Sequence, residues 1–278
     1  SLAVAAVPEG LPAVVTITLA IGLTKLVKVK SIVRRLPVVE TLGSANIICS
    51  DKTGTLTKNE MTVKKIYTNH TLIEVSGTGY TPEGKFSIKG DTLSKMKKNL
   101  EMTLISGILC NTARLVKNKN WKIFGDPTEG ALIVSARKYG LQKSKLNNYS
   151  FIDEIPFDSA RKMMSSIYKK DKNKIAYIKG APEILLKKCN FIFINGSVKP
   201  ITKKDRLLIN KQINQLSEDA LRVLAHGYKY VGNKKLTSNY VEKDIVFLGL
   251  QAMIDPARPE VKPALIKCKE AGIRTIMI

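Results

Sequence analysis

Apolar residues are unevenly spread along the chain. Residues 1–23 are apolar apart from Ser1, Glu9 and a few threonines. As one helix rising about 1.5 Å per residue they would span roughly 34 Å, enough for a bilayer core. A signal peptide fits poorly, because no basic leader precedes the run and no small-residue cleavage site follows. A buried soluble helix would share the hydropathy. However, Lys25, Lys28, Lys30, Arg34 and Arg35 follow at once, the pattern expected where a span leaves the membrane on its cytoplasmic side, with residues from about 25 onward cytoplasmic. Residues 24–45 read as a basic stalk helix followed by Leu36-Pro37-Val38-Val39-Glu40-Thr41-Leu42-Gly43, and Asn46-Ile47-Ile48 as the start of a strand. From about Met61 to Ile245 strands, glycine turns and amphipathic helices alternate, as in a domain inserted between two halves of another. A strand at Phe247–Leu250, a helix over Val261–Ala271 and a strand over Arg274–Ile278 then place a parallel strand-helix-strand unit beside the earlier strand. The expected division is 1–30, 31–61, 62–246 and 247–278, with an α/β architecture.

The first apolar run carries its own interruption, Val7-Pro8-Glu9-Gly10-Leu11-Pro12. Pro8 cannot donate to the carbonyl of Val4, nor Pro12 to that of Pro8, so the helix must unwind locally and leave oxygens free. An ionisable Glu9 at the same place is costly in lipid. Free carbonyls beside a carboxylate make a hard-oxygen site suited to calcium or a similar cation. The blander reading is a kink with a snorkelling Glu9.

The 278 residues carry a formal charge of +23, mainly from lysine. Such a balance could serve nucleic acid. The lysines are dispersed, however, aromatics make up only 6%, and no helix-turn-helix, RNP or zinc-finger pattern occurs. A solvated basic surface with an attraction for polyphosphate is the better account, and no nucleic-acid partner is expected. Cys49, Cys110, Cys189 and Cys268 are too widely spaced for a zinc site or a disulfide frame. With only His70 and His226, histidine-based metal or triad chemistry is not expected.

Chemistry concentrates in Cys49-Ser50-Asp51-Lys52-Thr53-Gly54-Thr55-Leu56-Thr57, which follows the strand at 46–48. A carboxylate at the end of a buried parallel strand can act as a nucleophile. Gly54 lets the backbone approach a phosphate closely, and Thr53 and Thr55 can hold its oxygens. Asp51-Lys-Thr-Gly-Thr-Leu-Thr57 resembles the phosphorylation signature of the P-type ATPases, cation pumps whose catalytic domain belongs to the haloacid-dehalogenase superfamily. By that resemblance Asp51 takes up the phosphoryl group, Lys52, Thr53 and Thr55 fix the site, and magnesium sits at Asp51 and Thr53. Soluble phosphatases of the superfamily carry a second Asp where this chain has Thr53. A hydroxyl there cannot exchange a proton efficiently near neutral pH, so the phosphoenzyme should persist. Val4-Ala-Ala-Val-Pro-Glu-Gly-Leu-Pro12 is similar to the unwound fourth transmembrane helix of the calcium-pump branch. There the carbonyls matching Val4, Ala5 and Val7 and the carboxylate matching Glu9 bind the transported ion. A pump for another cation, such as Na+ or Mn2+, is the alternative.

Within the inserted region, Gly79-Tyr-Thr-Pro-Glu-Gly84-Lys85 matches most of a Walker A loop, but Phe86 cannot ligate magnesium and Pro82 suits a turn, so it reads as a hairpin. Three other stretches are better nucleotide candidates. Ile155 to Ser165 places Phe157 beside clustered cations that could stack a base and meet phosphate, although an isolated Phe is more often core. Ile178-Lys179-Gly180-Ala181-Pro182-Glu183 sets a lysine at a strand end before a helix near Pro182, where a ligand charge would compensate it. Gly125-Asp126-Pro127-Thr128-Glu129-Gly130 is a turn into a helix whose acids could simply be caps. In this order they resemble the nucleotide-binding domain of calcium-type pumps. The resemblance implies that Phe157 stacks on adenine, Lys162 and Lys179 line the pocket, Thr128 and Glu129 lie close by, and Arg222 meets the ATP phosphates. A further family arginine is Ser159 here, with Arg161 a possible substitute. The equivalent of Asp255-Pro-Ala-Arg258 sits where the two domains rejoin, and its polar residues reach the nucleotide.

The implied whole is an incomplete haloacid-dehalogenase-like Rossmannoid phosphorylation domain (31–61 and 247–278) holding an inserted α+β nucleotide-binding domain (62–246), preceded by a transmembrane and stalk helix (1–30). Its partners would be ATP, magnesium, a transported cation, membrane lipid through residues 1–23, and the remainder of a pump chain. The Thr-Gly-Asp, Gly-Asp-Gly and actuator Thr-Gly-Glu segments of related pumps do not occur, so the resemblance is to the middle of a pump, expected to bind nucleotide but turn over poorly. The rival enzyme, a soluble haloacid-dehalogenase-type phosphatase, would need an acid at position 53 and no membrane helix.

Overall fold

A computed structural model describes residues 10–88 and 96–278; the proposed ion ligands Val4, Ala5, Val7 and Glu9 lie outside the described residues. The helices in chain order are α1 (Leu11–Lys28), α2 (Pro37–Gly43), α3 (Lys97–Leu109), α4 (Pro127–Lys138), α5 (Pro182–Lys187), α6 (Lys203–Glu218), α7 (Ser238–Val241) and α8 (Val261–Glu270). The strands are β1 (Ile47–Ser50), β2 (Thr62–Thr68), β3 (Thr71–Val75), β4 (Phe86–Ile88), β5 (Arg114–Lys117), β6 (Trp121–Phe124), β7 (Tyr149–Asp158), β8 (Met163–Lys170), β9 (Asn173–Gly180), β10 (Cys189–Ile194), β11 (Ser197–Pro200), β12 (Arg222–Val231), β13 (Ile245–Ile254) and β14 (Arg274–Met277). They fall into two units, Ser1–Leu56 with Arg258–Ile278, and Thr57–Ala257.

In the first unit α1 starts directly after Gly10, with Pro12 in its first turn, where the missing N–H has no helical partner to lose. Over its 18 residues the mean hydropathy is 1.6, so it is long and apolar enough to cross a membrane. Its threonine hydroxyls are satisfied internally: those of Thr16, Thr18 and Thr24 donate to the carbonyls of Pro12, Val14 and Ala20 at 2.8, 2.8 and 3.1 Å. The basic stalk helix expected between residue 24 and Leu36 ends early. Helix α1 stops at Lys28, Lys30 takes a left-handed φ of +64°, and α2 restarts at Pro37. The β-branched Val29, Ile32 and Val33 between them are weak helix formers, and Pro37 favours a helix start. Strands β1 and β14 pair in parallel, Ile47 with Arg274 through Ser50 with Met277, with α8 leading into β14 as the strand-helix-strand pattern required. None of the described residues of this unit is buried.

The second unit is built on a ten-stranded sheet. Its centre is β13, paired with β12 along one edge and, along the other, with β10 over its first half and β2 over its second. Both faces of β13 are covered and nine of its ten residues are buried, which accounts for a near-continuous apolar run instead of an alternating one. The boundary expected between residues 246 and 247 therefore fails: it would cut the central strand of the inserted sheet. The change of unit comes at Ala257 and Arg258, after Pro256 has ended the strand.

Neighbouring residues of β2 show the layering. Ile66 packs with Leu100 and Leu104 of α3 and Leu132 of α4, while Tyr67 packs on the opposite face with Leu185 of α5 and Ile209 and Leu216 of α6. Helix α3 lies so close to the sheet that a Cβ on Gly107 would stand 2.8 Å from Nε2 of Gln251. The Walker-like stretch is a hairpin loop: Val75 pairs with Phe86, and the Ser76 amide donates to Lys85 O at 3.0 Å. All four cysteines are free thiols.

Truncating Leu104, fully buried between α3 and the sheet, should lower the stability of the second unit by about 2–5 kcal/mol. The same change at Leu207, 71% exposed on α6, should cost less than about 0.5 kcal/mol. Urea unfolding of Leu104→Ala and Leu207→Ala checks the contrast.

Candidate functional site

Four separate stretches of the second unit line one cleft. Two adjoining cavities of about 470 and 380 Å³ share Phe157, Lys179, Arg222 and Leu224. The first adds Lys162, Gly180, Ser217 and Val223; the second adds Thr112, Asp126, Thr128, Glu129 and Met164. The structure thus brings together Phe157, Lys162, Lys179, Arg222, Thr128 and Glu129, six of the residues expected to hold nucleotide. Phe157 is 62% exposed, so the core reading of this ring is set aside. An open aromatic face, apolar walls at Leu224 and Met164, and the cations Lys162 and Arg222 suit a planar base at one end and phosphate at the other.

Local chemistry explains the convergence. Antiparallel pairing sets Met164, Lys179 and His226 side by side across β8, β9 and β12. Asp126 caps α4 by accepting from the amides of Thr128 and Glu129 at 2.8 and 3.1 Å, with Pro127 behind it. Capping therefore belongs to Asp126, and Glu129 is left for another task. Its Oε1 accepts from the Lys179 ammonium, and its Oε2 from Thr112 Oγ1 at 2.6 Å and from the amides of Thr112 and Ala113 at 3.0 and 3.1 Å. Both residues are buried. Lys179 was expected to await a ligand's charge; Glu129 already compensates it. Burial alone would raise the Glu129 carboxyl, but Lys179 and the donors of Thr112 outweigh it and hold the group below the usual carboxylate range.

Beneath this pair lies a polar chain that no motif announced. Ser135 Oγ donates to Gln251 Oε1 at 3.0 Å, and Gln251 Nε2 stands 3.3 Å from His226 Nε2, with all three residues buried. His226 therefore accepts at Nε2 and keeps its proton on Nδ1, which has no hydrogen-bond partner among the described residues. Burial, and then the neighbouring Lys179, push its pKa down to about 3. Thr112 was equally unforeseen as a cleft residue, since a single residue from a separate element leaves no spacing to detect.

Arg161 does not take over the phosphate contact that Ser159 lacks. It is bonded to the buried Glu242 and donates to Pro156 O at 2.7 Å, which ties the β7–β8 turn to the end of α7. Asp255 lines neither cavity: its carboxylate accepts from Thr57 Oγ1 at 2.5 Å and from the Glu60 amide at 3.1 Å.

In the first unit Asp51 is exposed at the C-terminal end of β1, where its Oδ1 accepts from the Thr53 amide at 3.3 Å. The turn that follows needs Gly54, whose φ is +76°. Arg258 closes it, donating from its guanidinium to Gly54 O and from its amide to Leu56 O, both at 2.9 Å. Thr53 and Thr55 are exposed beside Asp51, so acid and hydroxyls share one open strand-end turn.

Residues 99–260 match the family model described as the P-type ATPase cytoplasmic domain N. Across its whole length the chain is 44% identical to the calcium-transporting ATPase of Bacillus subtilis, covering 32% of that protein. It is likewise 42% identical to the cation-transporting ATPase pma1 of Synechocystis sp., covering 32%, and 39% identical to the calcium-transporting ATPase lmo0841 of Listeria monocytogenes, covering 30%. The chain thus spans about a third of the length of the curated relatives it matches.

His226 and Glu129 fix the acid response of this unit. Above pH 6.5 both native and unfolded chains carry a neutral imidazole at His226. Between pH 6.5 and about 3 only the unfolded chain takes up the proton, so stability should fall with pH at a limiting slope of roughly 1.4 kcal/mol per unit. Glu129, charged in the native state, adds to the loss only below its ordinary 4.5. Urea midpoints measured from pH 6.5 to 5 should therefore decline in the wild type and flatten in His226→Gln.

Proposed function

The chain belongs to the P-type cation ATPases, and from that membership we propose that it is the ATP-binding and phosphate-accepting part of an ATP-driven pump that carries Ca2+. The cleft supports this reading most directly, because it gathers Phe157, Lys162, Lys179 and Arg222 from three separate stretches into one aromatic-sided groove, with Asp126, Glu129, Glu154 and Glu183 also in its walls. Phe157 stacks on the adenine, and Lys162 and Arg222 meet the phosphates. Lys179 holds its place at the cleft wall through Glu129. At the other end of the reaction, a carboxylate oxygen of Asp51 attacks the γ-phosphorus of ATP as the bond to the bridging oxygen breaks and ADP leaves, so that an acyl phosphate forms on Asp51. Lys52, Thr53 and Thr55 steady the transferred group, and Arg258 keeps the Gly54 turn closed around it.

Asp51 and Thr53 offer only oxygen donors, which suits a hard cation, and bound magnesium would neutralise phosphate charge there. With Thr53 in place of an acid, the chain has no proton carrier at this position to hasten hydrolysis, so the acyl phosphate lasts long enough to be coupled to transport. The carbonyls of Val4, Ala5 and Val7 and the carboxylate of Glu9 bind the transported ion in the membrane-spanning segment, and their occupancy licenses phosphoryl transfer. The rest of the pump chain, the lipid around residues 1–23, and a cytoplasmic location from about residue 25 follow from the same reading. The Synechocystis relative is named only as cation-transporting, so a pump for another cation is the second reading.

Phe157→Ala should weaken ATP binding about tenfold or more, the loss expected when a base gives up its aromatic platform, and Arg222→Ala should act in the same direction. These are cleaner probes than Lys179→Ala, which would strand a buried Glu129 charge and unsettle the fold. Calorimetric titration with ATP reads the effect, and unchanged affinity in Phe157→Ala would remove the cleft from the proposal. In the intact parent protein, Asp51→Asn should abolish incorporation of label from γ-marked ATP.

A further inference from the structure

Thr112 lines the nucleotide cleft, while the next two residues, Ala113 and Arg114, line a separate cavity of about 260 Å³ in the same unit. Its lining is apolar at Ile108, Leu115 and Leu141 and carries three cations, Arg114, Arg137 and Lys143, the last with its ammonium 3.5 Å from Asn111 O and 5.8 Å from the centre of the Tyr168 ring. No carboxylate lines this cavity, and among the described residues none of the three forms an ion pair. That contrasts with Lys179 and Arg161, which are each matched by a buried acid. Desolvation pushes the Lys143 ammonium below the usual lysine value against the pull of Cys110, Glu154 and Glu129, and Arg114 adds a smaller push in the same direction as burial. An anion between these side chains would relieve both costs.

The arrangement is also held in readiness. The Arg137 guanidinium lies 5.3 Å from the centre of the Trp121 ring, and Lys117 lies 5.5 Å from the same ring, so the indole carries two cations and restrains the one that faces the cavity. A planar guanidinium fixed in this way can present two donors to a tetrahedral dianion. At about 260 Å³ the space is well below the adjoining 470 and 380 Å³ of the cleft, which favours a small ligand over a nucleoside triphosphate.

We propose that this cavity is a second anion site, distinct from the nucleotide cleft, that binds a small phosphomonoester with its phosphoryl oxygens on Arg114, Arg137 and Lys143 and its organic body on Leu115 and Leu141. The Asn111–Arg114 segment walls both spaces and also holds Glu129, which places this cavity next to the cleft.

Trp121 is the only tryptophan of the chain, so its fluorescence reports on this site. Titrating the 278-residue chain in detergent with phenyl phosphate should give a saturable change in Trp121 emission. Arg114→Gln and Lys143→Gln should each weaken that binding about tenfold, whereas Phe157→Ala should leave it unaltered. A response that never saturates, or one that survives both cavity variants, would overturn the proposal. So would one abolished by Phe157→Ala, since that would put the ligand in the cleft.

Discussion

The nucleotide unit is arranged around one electrostatic constraint, the buried contact between Lys179 and Glu129. Taking either charge out of water alone costs several kcal/mol, so each must find the other and have its remaining hydrogen-bonding capacity filled. Lys179 comes from the end of β9 and Glu129 from the first turn of α4, while Thr112 and Ala113 close the carboxylate from a third segment. Satisfying one ion pair therefore fixes a strand end, a helix start and a connecting loop against one another. The cleft is the space these pieces leave, and its exposed aromatic and cationic side chains are mounted on a frame that cannot shift without stranding a charge. The buried Ser135, Gln251 and His226 chain extends the same polar seam beneath it, with His226 kept neutral so that no second positive charge lies against Lys179.

A chain with 46 basic and 23 acidic residues cannot pair every cation with a carboxylate. The structure shows what the others do. Arg206 donates to the carbonyls of Leu186 and Cys189, and Lys64 and Lys138 to those of Gly77 and Ser76. Lys98, Lys170 and Lys229 lie over the rings of Phe193, Tyr149 and Tyr240. These cations thus serve as local packing and capping material, their charge met by carbonyl oxygens and ring faces instead of carboxylates.

What the sequence made legible, and what it hid, follows from the range of the interactions involved. The helix start at Asp126-Pro127, the helix at Pro182, the hairpin after Val75 and the strand-end turn at Asp51 all depend on residues within a few positions of one another, and they stand where the pattern put them. So does the parallel pairing of β1 with β14, which a strand-helix-strand pattern strongly constrains. The stalk helix ends sooner than its charge pattern suggested, because Val29, Ile32 and Val33 are β-branched and Lys30 takes a left-handed φ. The boundary near residue 246 was misjudged because an apolar strand buried on both faces has no alternation to say which sheet owns it. Arg161 looked like a phosphate ligand because its partner, Glu242, is 81 residues away in sequence. Thr112 escaped notice for the same reason, since its role exists only once Glu129 has folded over it.

The positions of Asp255 and Arg258 give this distance argument a structural sense. At the edge of the inserted unit Thr57 pairs with Ala257, the Lys58 amide donates to Pro256 O at 3.1 Å, and Asp255 gathers Thr57 and Glu60. In the other unit the Arg258 amide meets Leu56 O while its side chain meets Gly54 O. Each unit thus ties off its own side of the insertion with a backbone contact and a charged side chain, Asp255 in the inserted unit and Arg258 in the other. The entry and exit of a 201-residue unit running from Thr57 to Ala257 are held as neighbours, as a domain inserted into another requires. Arg258 belongs to the same knot as the Gly54 turn, so the residue that closes the insertion also shapes the backbone three residues beyond Asp51.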